Sequence, residues 1–454
     1  MGRFGSSNRF ASARHVVELF FPQRPDLGLE QTTYSPTVID KIVSANAEHK
    51  SANKAKKMLL KLADLSVSAP TIMNLTATIG GELQEQIQQQ ASAHMQQNLE
   101  PQYAEPPQVV AVSVDGGRIM TRDKAGRGVH GQQWKETKVA CLLKMSSSPS
   151  DKDPHPELPA CFANEKYVET LVRQMHGVRS GTQESSENSE ILTDIEMEQI
   201  LDEVLEPETR CDRKKRKKAD WRPKKLVRTC LCSMSCSDAF GPLVAGEAQR
   251  RGFHEAPRQA FLGDGQAWNW SIHEDCFKDF TPIVDFVHPL SYIFNAAKAI
   301  APDDPWCFYL KSITDCWQGR VSDLLKELRS WQSTHPVARE EELSDQDPRA
   351  VVQRAVTYLT NNQKRMDYPA YRQQGLPVST AMVESLIKEV NHRVKGTEKF
   401  WNRPEGAENI LQVRAAALCD DDRLSQWILN RTGSYFYRRS TGQDKHDEQL
   451  AIAV

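Results

Sequence analysis

Two periods of hydrophobicity divide the chain. Before residue 100, apolar positions recur every three or four residues, as in Val38, Ile39, Ile42 and Val43, then Ala55, Met58, Leu59 and Leu62. This spacing predicts amphipathic helices. Residues 64–68 break the pattern, and Ser68 is placed to cap a following helix with Pro70 in its first turn, where a missing N–H costs nothing. Helix, tight turn and capped helix make a candidate helix-turn-helix whose second helix would enter a major groove. A plain helical hairpin fits the same pattern equally well. A Gln-rich, helix-compatible stretch (84–97) and a Pro-containing linker (101–108) close this helical region, residues 1–100.

From Val109 the period shortens. Residues 109–114 are a nearly continuous apolar run ending at Asp115-Gly116-Gly117, the mark of a buried strand that stops at a carboxylate and a glycine turn. Further strands are expected at 137–145, 226–234, 259–262 and 282–286, with a helix at 238–251. The fourth strand ends at Asp264-Gly265 and the fifth leads to Asp285 and His288. Between the second and third lies an insertion, about 146–222, in which ten acids (184–208) precede ten bases (213–228). Such opposed blocks form solvated helices or open segments. Helical patterns then dominate, for example Val321-Leu324-Leu325-Leu328 and Val351-Val352-Ala355-Val356-Leu359. The fold expected is α/β: a mixed sheet flanked by helices (109–300), a helical insertion (301–370), a last helical part of the core (371–430) and a tail (431–454).

Composition narrows the class. The 454 residues are 39% hydrophobic and 26% charged, with 58 Lys plus Arg against 60 Asp plus Glu. A net charge of −2 confines any nucleic-acid surface to a local patch. No apolar run reaches the roughly 18 residues that would span a bilayer, and residues 1–17, though free of acids, lack an apolar targeting core. Ten cysteines without regular spacing read as reduced thiols of a cytoplasmic protein. Cys230, Cys232 and Cys236 do not make a zinc site, because the chain has no Cys-x-x-Cys pair.

The chemistry gathers around three acids. Ser379 is placed to cap a helix (380–395) with an apolar stripe of Val383, Leu386, Ile387, Val390 and Val394. Glu384, Lys388, Asn391 and Lys395 fall together along one edge of that stripe. Asp115 and Asp264 at strand ends and Glu384 on a packed helix can converge on two Mg²⁺ or Mn²⁺ ions roughly 4 Å apart. Hard cations take oxygen ligands and leave positions for water and substrate phosphate. Trp268 and Trp270 flank the second acid and read first as core, secondly as platforms for an unpaired base. The basic run Lys214, Lys215, Arg216, Lys217 and Lys218 fits a DNA backbone or, alternatively, pairs with the acidic block upstream. Lys388, also a candidate active-site neighbour, Arg393 and Lys395 are phosphate-contact candidates beside Glu384.

At these residues the chain resembles the DDE transposases with an RNase H-like catalytic core, most closely the Kra-type insertion-sequence transposases, relatives of the Mutator-like group. The segments that carry the resemblance are VVAVSVDGGRI, WKETKV, RTCLCSM, EAQRRGFHEAPRQAFLGDGQAWNW, PIVDFVHPLSYIFNAAKA, STAMVESLIKEVNHRVKGTEKFWN and GAENILQVRAAAL. They cover most of residues 109–418. The resemblance implies an enzyme that cuts and joins double-stranded DNA at terminal inverted repeats, acting at the nucleoid as a homo-oligomer. It places Asp115, Asp264 and Glu384 on the family's three metal-binding acids. It also matches Asp285 and His288 to a Cys/Asp-x-x-His signature, which makes them candidate active-site neighbours. Two rivals share these residues: an RNase H-like nuclease that does not join strands, and a transposase-derived DNA-binding protein without catalysis.

Overall fold

The computed structural model describes residues 34–103, 105–125, 129–180, 222–336, 343–379, 381–395 and 401–431. They form two compact units, with residues 80–421 in the larger and the described residues 34–79 and 422–431 in the smaller.

The smaller unit contains α1 (Pro36–Glu48), α2 (Ala52–Ala63), the first turns of α3 (Ala69–Met95) and the last helix, Arg423–Leu429. The Ser51 hydroxyl accepts from the Lys54 amide to start α2, and Asp64 ends it in the left-handed region (φ 52°). Ser68 caps α3 as expected, its Oγ accepting from the Thr71 amide at 3.2 Å. Ile42, Leu59, Val67 and Ile72 form the unit's core. The described residues 34–100 are divided between the two units. The division falls inside α3, a single 27-residue helix, between Ile79 and Gly80. Ile79, Leu83, Ile87 and Ala91 continue its buried stripe. Gly80 is required where α3 meets a later helix, because a Cβ there would stand 2.7 Å from the Asn409 Cα.

In the larger unit, β1 (Val109–Ala125), β2 (Val129–Ser146), β3 (Lys224–Ser233), β4 (Arg258–Gly263) and β5 (Thr281–Val284) make one sheet in the order β3-β2-β1-β4-β5. β2 runs antiparallel to β1 and β3, whereas β4 and β5 run parallel to β1. Val109, Val110, Ala111, Val112 and Val114 are almost wholly buried, the signature of a central strand covered on both faces. Helices flank the sheet in chain order: α4 (Glu165–Ser180), α5 (Ser237–Arg250), α6 (Ala267–Cys276), α7 (Val287–Ile300), α8 (Pro305–Trp317), α9 (Val321–Thr334), α10 (Pro348–Asn362), α11 (Tyr368–Gln373), α12 (Ala381–Val394) and α13 (Pro404–Ala417). The architecture is therefore mixed α/β, with helices filling the stretch expected to be a helical insertion.

β1 does not stop at Asp115. It stays paired with β2 from Gly116↔Lys138 out to Ala125↔Val129, while β4 leaves it at Ser113. The glycines fail to end the strand because β2 supplies partners throughout. Gly117 instead admits Thr137, whose Oγ1 would lie 2.9 Å from a Cβ there. The start of the charged insertion is also ordered by the core. Ser147 donates to the Gly375 carbonyl at 2.7 Å, and Asp153 binds the fully buried Arg372 through two nitrogens. The acidic block and the basic run Lys214, Lys215, Arg216, Lys217 and Lys218 lie outside the described residues. Among the described residues no helix is long and apolar enough to cross a membrane.

Candidate active site

Strand register brings the strand-end acids together. β1 pairs in parallel with β4 up to Ser113↔Leu262, and β4 with β5 up to Gly263↔Val284. Continuing that register puts Asp115, Asp264 and Asp285 in one row across three adjacent strands about 4.8 Å apart. The row lies just past the carboxyl ends of β4 and β5, level with Asp115 in the middle of β1. It straddles the β1/β4 boundary, where successive strands switch from one side of β1 to the other, the place where open α/β sheets bind ligands.

Each acid of the row is held differently. Asp264 is buried, and its Oδ1 accepts from the Gln266 amide (2.9 Å) and Asn269 Nδ2 (2.7 Å), its Oδ2 from Gln266 Nε2 (2.5 Å). Gly265 makes this turn possible: φ is +95°, and a Cβ would stand 2.7 Å from the Tyr358 ring. Tyr358 of α10 also donates to the Asp264 carbonyl at 2.9 Å, so the late helices brace the acid-bearing loop. Asp285 is fully buried, and its Oδ2 lies 2.8 Å from Nδ1 of His288, the second residue of α7. Asp115 is half-buried and accepts a 2.5 Å bond from the Gly116 amide. Burial, then the Asp264 carboxylate, pushes its carboxyl up to about 7, with Asp285 adding to the rise and the Gly116 bond and His288 opposing it.

Glu384 lies in α12; its side chain is outside the described residues. The helix packs on β1 and β2 through Val383, Leu386, Val390 and Val394. Asn391, two turns after Glu384 on the same helix edge, places Oδ1 3.9 Å from where a Gly117 Cβ would be. The edge predicted to face the chemistry therefore runs along β1 next to Asp115. Arg228 of β3 anchors the helix through a 2.7 Å ion pair with Glu389.

The flanking cations separate. Lys388 is exposed, and Lys395 is half-buried with Nζ 6.0 Å from the Trp134 ring centroid. Arg393, expected to reach phosphate, is instead buried, because it falls beside Leu386 on the covered side of α12. Its guanidinium lies 5.9 Å from the Trp401 ring, and burial, then Arg414, pulls its pKa down to about 10. Trp270 is a core residue with Arg365 over its ring, whereas Trp268 remains partly open at the rim of the acid row. Cys230 and Cys232 are buried with their sulfurs 3.8 Å apart, and burial pushes the Cys230 thiol well up. Among the described residues no group of three His, Cys, Asp or Glu side chains is arranged to hold a metal, a comparison that leaves out Glu384.

Gln266, Asn269 and Tyr358 were not singled out from the sequence. Gln266 and Asn269 stand two and five residues after Asp264, a spacing that marks a turn and first helical turn folding back on the acid. In the smaller unit, α2 exposes Lys54, Lys56, Lys57 and Lys61 and contains no acid. Neither the protein-family models nor the curated proteins compared with this chain match it.

Proposed function

We propose that the chain is a DDE transposase on an RNase H-like core, cutting and joining double-stranded DNA at the inverted-repeat ends of an insertion sequence. The reading is carried by one observation: Asp115, Asp264 and Asp285 share a row at the switch point of the sheet, with α12 running beside it. A five-stranded mixed sheet flanked by helices is compatible with that core.

The donor set fits Mg²⁺ or Mn²⁺ held by Asp115, Asp264 and Glu384. A carboxylate offers about four lone pairs, and the three hydrogen bonds to Asp264 leave one open on Oδ2. Asp115 spends one on Gly116, and burial and Asp264 push its carboxyl up, a penalty on its charge that a cation would relieve. Two such ions, held by Asp115, Asp264 and Glu384, would supply activation of a water or a 3′-hydroxyl and stabilisation of the leaving oxygen. Gln266, Asn269 and Tyr358 fix the Asp264 carboxylate and its loop before substrate arrives. His288 holds Asp285, and Lys388 and Lys395 contact phosphates along α12. The lysines of α2 and the capped α3 bind the DNA end, and two ends require a homo-oligomer on DNA.

The test is mobilisation of a marked copy with its natural flanks, supplied with wild-type protein or Asp264→Ala. Movement with the first and none with the second, both equally folded, is expected. Movement with both would remove Asp264 from the mechanism, and cleavage of the flanks without joining would favour a nuclease.

A further inference from the structure

Past Asp115 the β1–β2 hairpin runs beyond β4, and past Gly116↔Lys138, where β3 ends at Ser233, it continues as a ribbon beyond β3 as well. Alternation gives it two unlike faces. On one, Ile119 and Thr121 are fully buried. On the other stand the cross-strand pairs Gly116↔Lys138, Arg118↔Glu136 and Met120↔Trp134. This second face carries an indole with 51% of its surface in water, Trp134, and a second one, Trp268, reaches it from α6. The Trp268 ring would lie 3.8 Å from a Cβ at Gly116, and Lys138 Nζ is 5.2 Å from its centroid.

We infer that this ribbon face, on the side of the sheet opposite the Asp115 carboxylate, is a track for unpaired nucleotides, with bases stacking on Trp134 and Trp268, that passes a single nucleic-acid strand by the row at Trp268. The inference rests on the DNA reading above and adds to it a strandedness and a path. Trp268 ties the track to the row, because its Nε1 donates to Gln266 Oε1 at 3.0 Å and Gln266 in turn holds Asp264. Trp134 lies four residues along β2 from Lys138, about 13 Å of strand, room for a few nucleotides between the two rings.

Charge matches this occupant. Lys395 lies beside the Trp134 ring, Arg118 is exposed between the indoles, and the single acid among the positions named, Glu136, is 3.4 Å from Lys138. Cations beside open aromatic faces are how single strands are gripped without regard to sequence. A duplex keeps its base faces stacked on one another and offers Trp134 nothing to cover.

The experiment uses the full chain in EDTA, so that no cutting is needed, and reads fluorescence anisotropy of a labelled oligo-dT strand, free or annealed to oligo-dA. Trp134→Ala should weaken single-strand binding about tenfold or more, Trp134→Phe should keep most of it, and duplex binding should not change. Matched circular dichroism and melting curves show that the variants fold. Equal single-strand affinity for Trp134→Ala and wild type, an equal loss on the duplex, or no binding by wild type would each overturn the track. Transposition that needs Asp264 alongside single-strand binding indifferent to Trp134 would sink the track alone. Trp134-dependent binding without any strand cutting would sink the enzyme reading alone.

Discussion

Asp115→Asn should stabilise the metal-free protein, and increasingly so as pH rises. The carboxyl of Asp115 is pushed from 3.8 up to about 7 by burial and by Asp264. In the folded chain it keeps its proton to about pH 7, whereas in the unfolded chain it releases it near pH 4. The unfolded state therefore binds fewer protons between these values, and stability falls as pH rises through that window. A shift of roughly 3 units at 1.36 kcal/mol each sets a ceiling of roughly 4 kcal/mol. Asp115 keeps part of its surface in water, so about half of that is expected. Between pH 5 and pH 8 the advantage of the Asn variant should grow by about 1–2 kcal/mol, a few degrees in melting temperature. Thermal melts of both proteins in EDTA give this difference, and the subtraction removes every group they share. Adding Mg²⁺ at pH 8 should raise the wild-type curve and leave the variant nearly unmoved. Parallel curves for the two proteins from pH 5 to pH 8 would refute the reasoning, since Asp115 would then not be facing the other acids.

Three further outcomes test separate parts of the molecule. Arg372→Met should cost about 3–5 kcal/mol in urea unfolding, because it strands Asp153 beside a fully buried position, and adding Asp153→Leu should recover much of the loss. A cost below about 1 kcal/mol would show that solvent reaches the pair. Gly265→Ala forces a side chain into the left-handed region against Tyr358. It should destabilise by about 1–3 kcal/mol and abolish DNA cutting, and a fully active variant would separate that turn from the site. Replacing Lys54, Lys57 and Lys61 together by Ser should flatten the log–log salt dependence of duplex binding by up to about 0.9 per lysine, whereas an unchanged slope would take α2 off the DNA.

Much of this was legible in the chain because burial writes a strong pattern. β1 and β4 announce themselves as apolar runs, since a central parallel strand has no solvent face, and both run straight into an acid. The α12 stripe likewise fixed which edge would run along β1. What stayed hidden depends on neighbours distant in sequence. The outer half of the β1–β2 hairpin has no core to bury on one face, so its polar alternation looks like loop. Arg393 reads as a surface cation until Trp401 and Arg414 are packed around it. Asp285 was visible as a strand end, but only register shows it level with Asp115 and Asp264.

The three row acids differ in how far the protein satisfies them, and that difference itself argues for a cation. Asp285 is answered by His288, and Asp264 by three donors, arrangements that suit carboxylates in place before any ligand arrives. Asp115 has its Gly116 amide and, across the strand, the carboxylate of Asp264, so its charge is the costly one. A fold shaped for stability alone would place an amide or a small apolar residue at position 115 of β1, where Asn would fill the same space without repulsion. Keeping an acid there makes the free protein hold a proton that a bound cation would displace. In the proposed site, affinity for a cation and the pH dependence of stability would spring from the same pair of carboxylates, so a change at Asp115 should move both together.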